Sequence, residues 1–400
     1  MKNYKFERWF SITLFLCSIC AWADVTVKDV SVKPRWPWNG LVDVTYSIVC
    51  KETDDDGKLK DVYVDFTAID GDRGQEIPMR TLTGDGAKDP VKDGGPYTVT
   101  WDASKDAPTL NSSELKVQIH AIAGGAPYLV IDLLTWKKHY TSQPPDLNDD
   151  TCRTTELWLR QVKPGTFKMG HANGNDNEKP VHEVTITKMF YIGVFECTQK
   201  QWELVMKGTN RETPSYFKGS TRPVEYVTYN EIRGTKWPAD EYDGCDSSAF
   251  MGRLRAKLDN KLAFDLPTEA QWEFAARGGN ESKGYTYSGS NNIGDVAWYG
   301  ERWSSAHHVV GKKNPNELGL YDMSGNVWEW CLDWYDSNYY GSSPKDNPVG
   351  PTNTGSYRVK RGGHWNNGGY YCGSADRYYG NPSYADDGSG FRVVCLPLVR

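Results

Sequence analysis

The chain has 400 residues, more than one ordinary hydrophobic core organises, so its length predicts two domains. Its formal net charge of −6 offers no basic surface and argues against nucleic acid as a partner. The composition includes 16 Trp and 24 Tyr beside 12 Phe, together with 39 Gly. Trp and Tyr combine a large apolar body with a polar edge, so this composition is typical of loop-rich folds with hydrated binding surfaces.

Residues 1–23 have the pattern of a secretory signal peptide. Three basic residues, Lys2, Lys5 and Arg8, precede the apolar run Trp9–Cys20, and Ala21-Trp22-Ala23 forms a small-x-small cleavage site. The apolar run is too short to span a bilayer. The sequence therefore predicts export to the periplasm or beyond the cell, with cleavage near Ala23 and no membrane span in the mature chain.

Cleavage at that site would leave an odd number of cysteines in an oxidising compartment. The seven that remain are Cys50, Cys152, Cys197, Cys245, Cys331, Cys372 and Cys395. At least one of them is then expected to stay unpaired or to pair outside the chain, and spacing alone does not determine the connectivity.

Residues 24–145 are predicted to form a first, all-β domain. Short segments with alternating apolar residues are separated by clusters of Gly, Asp and Pro, as in Leu41–Val49, Val62–Ala68, Tyr97–Asp102 and Leu115–Ala121. This pattern is typical of an antiparallel sandwich of immunoglobulin size. No catalytic spacing occurs in it, so we interpret it as a spacer or docking module, followed by a linker at 146–154.

Residues 155–400 have a different pattern, in which strands alternate with short helices. Strands are predicted at Leu157–Val162, His182–Ile186 and Phe190–Phe195. Three helices should begin at capping boxes, where a Thr is followed three residues later by Gln or Glu. These boxes are Thr198–Gln201, Thr228–Glu231 and Thr268–Gln271. Beyond residue 280 the sequence predicts mostly loop, which is typical of a functional region.

Six ordered motifs in this second part resemble a known family. They are Pro164–Gly170, Glu178–His182, Leu266–Gly279, Gly325–Trp330, Arg361–Trp365 and Gly390–Arg392. Residues of about 155–396 are similar in these motifs to the formylglycine-generating enzymes, also called the sulfatase-modifying-factor domain family. The resemblance implies a C-type-lectin-like, loop-rich α+β fold that often holds calcium.

The calcium site that the resemblance implies lies in the segment 322–329. Calcium prefers six to eight oxygen ligands. Asp322 and Glu329 would supply carboxylates, and Gly325 and Val327 would supply backbone carbonyls. In the alternative interpretation, Glu329 only caps a turn between two tryptophans. A second family site would use Asp295 and the carbonyl of Val296.

The family's oxidases convert a substrate cysteine to formylglycine with oxygen and a copper ion held by two cysteines. Soft thiolates suit Cu(I). Counted from Trp365, the two family positions fall on Asn367 and Cys372, so one copper cysteine is absent. His364 replaces the family serine, and Arg377 is at the place of a substrate-binding arginine. Cys372 would be the catalytic thiol of an oxidase; otherwise we expect it to form a disulfide with Cys331 or Cys395.

The segment 366–389 is rich in Tyr, Asn, Ser, Gly and Asp, the residues of adaptable recognition surfaces. It also resembles the variable region of retroelement-diversified lectin-fold proteins, although ordinary surface composition explains it equally well. We therefore predict a binding module for a protein or glycan ligand, with the copper-dependent oxidase as the alternative. The predicted ligand-binding residues are His364, Trp365, Asn367, Tyr370, Tyr371, Arg377, Tyr378, Tyr379 and Tyr384.

Overall fold

The computed structural model describes most of the chain beyond the predicted signal peptide, which lies outside the described residues. These residues are 25–35, 39–51, 59, 62–73, 75–79, 81–85, 91–108, 110, 115–123, 127–141, 143–235, 244–258, 260, 262–302, 305–352 and 355–396. The chain divides into two compact units, and the second unit begins at residue 127. Both contain far more strand than helix.

The first unit consists of two antiparallel sheets. Its strands are β1 (Val25–Pro34), β2 (Leu41–Cys50), β3 (Val62–Asp70), β4 (Gln75–Pro78), β5 (Leu82–Gly84), β6 (Gly94–Asp102) and β7 (Leu115–Ala123), and its helix is α1 (Ala103–Asp106). The sheet orders are β1-β2-β6-β5 and β4-β3-β7. Every second residue of β2 is buried, as alternation predicts, and buried residues of both sheets form one hydrophobic cluster. The immunoglobulin-like assignment of this unit stays a prediction.

The boundary between the units differs from the one predicted near residue 145. A hairpin of β8 (Tyr128–Asp132) and β9 (Lys137–Thr141) pairs with β10 (Glu156–Val162), so it belongs to the second unit. The predicted linker contains the helix α2 (Thr151–Thr154), in which Cys152 and Arg153 are buried. The hairpin joins the second unit because its partner strand lies downstream, and local alternation alone does not reveal that pairing.

The second unit contains three sheets. Its further strands are β11 (Gly165–Met169), β12 (His182–Ile186), β13 (Phe190–Gly193), β14 (Ala263–Asp265), β15 (Trp328–Trp334), β16 (Arg358–Arg361), β17 (Tyr378–Gly380), β18 (Ser389–Phe391) and β19 (Val394–Leu396). The sheet orders are β14-β19-β13-β10-β8-β9, β11-β12 and β17-β16-β15-β18. The last sheet carries the predicted site, with β17 at its edge.

Three helices of the second unit begin at the predicted capping boxes, whereas α2 and the helix at Ile293–Val296 were not predicted. After α2 the helices are α3 (Gln199–Met206), α4 (Tyr229–Ile232), α5 (Phe250–Lys257), α6 (Glu269–Ala276) and α7 (Ile293–Val296). The predicted capping boxes are confirmed at Thr198, Thr228 and Thr268, each of which accepts a hydrogen bond from the third helical residue. Within the described residues, no helix is long and apolar enough to cross a membrane.

The predicted disulfide of Cys372 is not formed. Among the described residues, Cys331, Cys372 and Cys395 form no disulfide. Cys331 is part of the hydrophobic core of the second unit, and Cys395 lies on β19. All three thiols are buried.

Candidate functional site

The turn that opens the C-terminal loop is held by a buried arginine at the end of β16. The guanidinium of Arg361 donates hydrogen bonds to the carboxylate of Glu273 on α6 and to the carbonyl of Asp376. A third hydrogen bond, of 3.3 Å, reaches the carbonyl of Ser374. Arg361 is fully buried, so one side chain ties both the start and the middle of the loop to the core.

The two glycines after Arg361 let the chain pass close to Cys372. Gly363 has a φ of +77°, and a Cβ built there would lie 2.8 Å from the Cys372 sulfur. It would also lie 3.0 Å from the carbonyl oxygen of Tyr371. A residue with a side chain would therefore be strained both by its backbone conformation and by its neighbours.

The residues after this turn are anchored to the segment 298–301. Trp365 is fully buried. Its backbone N–H donates to the carbonyl of Asn326, and its carbonyl accepts a hydrogen bond from the backbone N–H of Glu301. The carbonyl of Asn367 accepts from Gly300 at 2.8 Å, and its amide oxygen accepts from the backbone N–H of His364 at 3.2 Å. Burial lowers the pKa of His364 to about 4, so this imidazole is neutral at pH 7.

Cys372 is a buried thiol. It ends the 3-10 helix Gly369–Cys372, and the Ser324 hydroxyl donates a 2.7 Å hydrogen bond to its carbonyl. Burial, and next the nearby Asp376, raise the pKa of this thiol to about 12. In the absence of a metal this thiol is therefore protonated at neutral pH.

The donor set of a two-thiolate copper site is not assembled in the described part of the chain. Asn367 supplies an amide where the family oxidases have the first cysteine, so Cys372 is the single thiol at the two family positions. Nor does any group of three or more His, Cys, Asp or Glu side chains among these residues have an arrangement that could hold a metal ion. The residues present do not fit the copper ion of the family oxidases.

Arg377, predicted to bind ligand, is a buried structural residue. It is 3% exposed and donates hydrogen bonds of 2.6 and 2.8 Å to the carboxylate of Glu269. Another donated hydrogen bond, of 2.7 Å, reaches the carbonyl of Asn177. The guanidinium also lies over the ring of Tyr340, 4.1 Å from its centroid. It holds the loop in place from beneath.

Most of the predicted tyrosines, in contrast, lie together at the surface. Each of these rings contacts at least one other ring of the set, which we call the tyrosine strip: Tyr370, Tyr371, Trp328, Tyr378, Tyr379, Tyr335 and Tyr357. The ring centroids are 4.1–6.0 Å apart along this series, and both Tyr335 and Tyr357 contact Tyr379. Tyr378 stacks on Trp328, with the two ring planes 17° apart.

The strip offers large aromatic surfaces to solvent on a fixed base. Tyr370 is 69% exposed, and Tyr357, Tyr378 and Tyr379 are 41–43% exposed. Trp328 is 4% exposed and forms the base of the strip. Tyr384, 65% exposed, has no ring contact with the strip in the described chain. Rigid aromatic rings give contact area at low entropic cost, which suits them for binding.

The segment 322–329 carries a group of buried carboxylates. Asp322, with a φ of +56°, accepts a 2.7 Å hydrogen bond from the N–H of Gly311, while its other oxygen is buried with no partner among the described residues. Burial raises the pKa of Asp322 to about 6. Glu329 is bound by Arg392, at 2.7 Å, and by the Trp272 indole, also at 2.7 Å.

A third carboxylate, Glu196, was not predicted from the sequence. It accepts hydrogen bonds from the backbone N–H of Val327, at 3.0 Å, and from the side chain of Asn326. Burial, and next the charges of Asp322 and Glu329, raise its pKa well above its usual value. These three side chains alone do not form a metal site. The buried oxygen of Asp322 that has no partner among the described residues could act as one ligand of a divalent cation, with backbone carbonyls needed for the rest.

The second predicted calcium position is arranged differently. Asp295 is exposed, and its two oxygens accept hydrogen bonds from Asn292, at 2.9 Å, and Ser290, at 3.0 Å. These contacts close a surface turn before α7. Both carboxylate oxygens of Asp295 are therefore engaged within this turn, and calcium at this position stays a prediction.

Sequence reasoning missed Trp328, Tyr335 and Tyr357, which complete the strip. Trp328 lies within one of the six family motifs, but the motif does not reveal that its ring lies beneath Tyr378. Tyr335 and Tyr357 come from the connection between β15 and β16, and the strand pairing of β16 with β17 brings them to Tyr379. Only that long-range pairing would have identified them.

These features define a class of loop-rich α+β domains in which an Arg-Gly-Gly turn displays a C-terminal loop. A sequence model described as "Sulfatase-modifying factor enzyme 1-like domain" matches residues 146–396, and the chain belongs to this family. The predicted resemblance is thereby confirmed, whereas residues 1–145 lie outside the match.

Individual relatives carry different names. The chain is 38% identical to the chaperone protein LppX of Paenibacillus barcinonensis, over 51% of this chain and 77% of that protein. It is 30% identical to the formylglycine-generating enzyme of Streptomyces coelicolor, over 58% and 86%. Among solved structures, Treponema denticola variable protein 1 is 31% identical, with a TM-score of 0.51 over 60% of this chain and 96% of that one.

Proposed function

We propose that the second unit is a binding module that does not oxidise cysteine and that uses the tyrosine strip to hold a protein or glycan ligand. The observation that carries the proposal is the contrast between the buried frame and the displayed surface. Arg361, Trp365, Cys372 and Arg377 are all buried, whereas four rings of the strip reach solvent. A fixed frame below an exposed aromatic surface is suited to recognition.

The proposal includes export. The signal-like pattern of residues 1–23 supports a location outside the cytoplasm, where the ligand would be met. The first unit, whose alternating strands suit an immunoglobulin-like sandwich, would act as a spacer or docking module.

Calcium is the cofactor that we propose for the second unit. Asp322 would bind it through its unpartnered oxygen, with Glu329 and the carbonyls of Gly325 and Val327 as further ligands. Glu329 would then share its carboxylate between the ion and Arg392. A calcium ion would balance the buried carboxylates and fix the segment that leads into β15, and with it Trp328 at the base of the strip.

The alternative is a copper-dependent oxidase that acts on a substrate cysteine. Its support is the family membership and the relatives named as formylglycine-generating enzymes. It would require Cys372 to act as a thiolate without the second family cysteine. We favour binding because the paired thiols that this chemistry needs are absent.

The binding function can be tested on an array of peptides and oligosaccharides. Wild-type protein is expected to be retained on some members of the array, and the double variant Tyr378→Ala, Tyr379→Ala is expected to lose that retention. Tyr216→Ala is the matched control, since Tyr216 is 68% exposed and its ring contacts only Phe217 in the described chain. Equal retention of all three proteins, or no retention of wild type, would overturn the proposal.

A further inference from the structure

The charge around the tyrosine strip is one-sided. Every Lys and Arg within residues 355–396 is buried, with an exposure of 4% or less: Arg358, Lys360, Arg361, Arg377 and Arg392. None of these cations is presented to solvent beside the strip.

Each of these cations is already engaged inside the fold. Arg361, Arg377 and Arg392 form ion pairs with Glu273, Glu269 and Glu329. Lys360 binds Asp386 at 3.1 Å and the hydroxyl of Ser389 at 2.6 Å. Arg358 lies over the ring of Trp334 and donates to the carbonyl of Leu332. None is available to an anionic ligand without disrupting the core.

Carboxylates, in contrast, reach solvent next to the strip. Asp336 is exposed and directly follows Tyr335. Asp387 is partly exposed and directly precedes Gly388, whose carbonyl accepts a 2.8 Å hydrogen bond from Trp328. Negative charge therefore borders the strip beside Tyr335, at one end, and near Trp328, at its base.

Aromatic faces and carboxylates attract the same kind of ligand. The face of a phenol ring is electron-rich and attracts Lys and Arg side chains, and a neighbouring carboxylate adds to that attraction. A sulfated or otherwise anionic glycan would meet repulsion from Asp336 and Asp387 and would find no exposed cation in residues 355–396. A neutral glycan would gain nothing from Asp336 and Asp387.

We infer that the strip binds a protein segment that presents Lys or Arg side chains, which lie on the phenol faces between Asp336 and Asp387. This inference rests on the proposed binding function and narrows it to one class of partner. Tyr378 and Tyr379 are both about two-fifths exposed and lie on β17, the edge strand of its sheet. A basic peptide in extended conformation fits such an edge.

The test uses the full chain and fluorescent peptides of one length, in which alternating positions are Arg, Gln or Glu. The Arg peptide is expected to bind at least tenfold more tightly than the Gln peptide, and the Glu peptide is expected not to bind. Added NaCl should weaken the binding of the Arg peptide to the protein. Neutral and sulfated oligosaccharides serve as the alternative ligands.

Two substitutions at one position separate cation binding from simple apolar contact. Tyr379→Phe keeps the aromatic face, and its affinity for the Arg peptide should stay within about twofold of wild type. Tyr379→Leu should lower that affinity about threefold to fivefold. Asp336→Asn should weaken it by a similar factor. Circular dichroism of each variant would verify that it is folded.

The outcomes distinguish the inference from the function on which it rests. Strip-dependent binding of an oligosaccharide or of the Glu peptide, but not of the Arg peptide, overturns the cationic partner and leaves the binding function intact. Equal affinity of the Leu and Phe variants also overturns the inference. Failure of every probe to bind in a strip-dependent way contradicts both.

Discussion

Arg377 illustrates how a buried ion pair supports a displayed surface. Its family position predicts contact with ligand, but its guanidinium is paired with Glu269, a residue 108 positions earlier in the chain. Glu269 lies at the start of α6, so the pair ties the loop to a helix of the core. Truncating one partner of such a pair leaves the other charge buried and uncompensated.

Replacing Arg377 by Met is therefore expected to cost roughly 3–5 kcal/mol of the free energy of unfolding, because Glu269 loses its main partner. Urea denaturation of the full chain measures this cost. The matched control is Lys168→Met, which removes an exposed pair with Glu183 and should cost less than about 1 kcal/mol. A similar, small cost for both variants would mean that Arg377 does not hold the loop.

At the scale of elements, the strand β15 joins the segment that carries Asp322, the core and the strip. At its start, Trp328 forms the base of the strip, and Glu329 is paired with Arg392. Asp333, near its end, accepts a 2.8 Å hydrogen bond from the backbone N–H of Glu269, which is the first residue of α6. One strand thus positions the helix and the aromatic surface together.

The carboxyl of Asp333 should make stability depend on pH. Burial, and next the charge of Glu269, raise its pKa to about 8 in the folded protein. In the unfolded chain an Asp ionises near pH 4. Between these values the folded state holds a proton that the unfolded state has lost, so the free energy of unfolding falls as pH rises.

Replacing Asp333 by Asn should remove this loss, because the amide cannot ionise. Between pH 5 and pH 9 the variant is expected to lose roughly 4 kcal/mol less stability than wild type, as measured by urea denaturation at each pH. Asp176→Asn, at an exposed carboxylate, should keep the wild-type dependence. Parallel curves for wild type and Asp333→Asn would contradict the buried, protonated carboxyl.

Calcium binding is also tested at this scale. Chelation should lower the melting temperature of the full chain by several degrees, and calcium, but not an equal concentration of magnesium, should restore it. Asp322→Ala should abolish the response to calcium, whatever its own melting temperature, while Asp295→Ala should retain it. An unchanged melt after chelation of wild type would rule out calcium at residues 322–329.

For the whole molecule, local patterns predicted the elements better than their assembly. The capping boxes at Thr198, Thr228 and Thr268 act over three residues, and the structure confirms each of them. The motifs from Pro164 to Arg392 likewise identified the family, because together they extend over almost the whole of its domain. Contacts distant in sequence were not visible: the β8–β9 hairpin was assigned to the wrong side of the boundary.

The candidate site shows the same limit. The exposed tyrosines of the 366–389 segment follow from composition, since such residues in a polar loop seldom pack inside. The burial of Arg377 and the approach of Tyr335 and Tyr357 depend on ion pairs and strand pairing across many residues, which composition does not encode. The missing disulfide has a similar cause, because cysteine spacing says nothing of which thiols meet.

The central claim is that the displayed surface binds and does not oxidise. The most direct test incubates the purified full chain with Cu(I), oxygen and a cysteine-containing sulfatase peptide, and detects aldehyde in the peptide by mass spectrometry. A formylglycine-generating enzyme serves as the positive control, and Cys372→Ser serves as the matched variant. We expect no aldehyde from either wild type or Cys372→Ser; aldehyde that forms with wild type and disappears in Cys372→Ser would contradict the account.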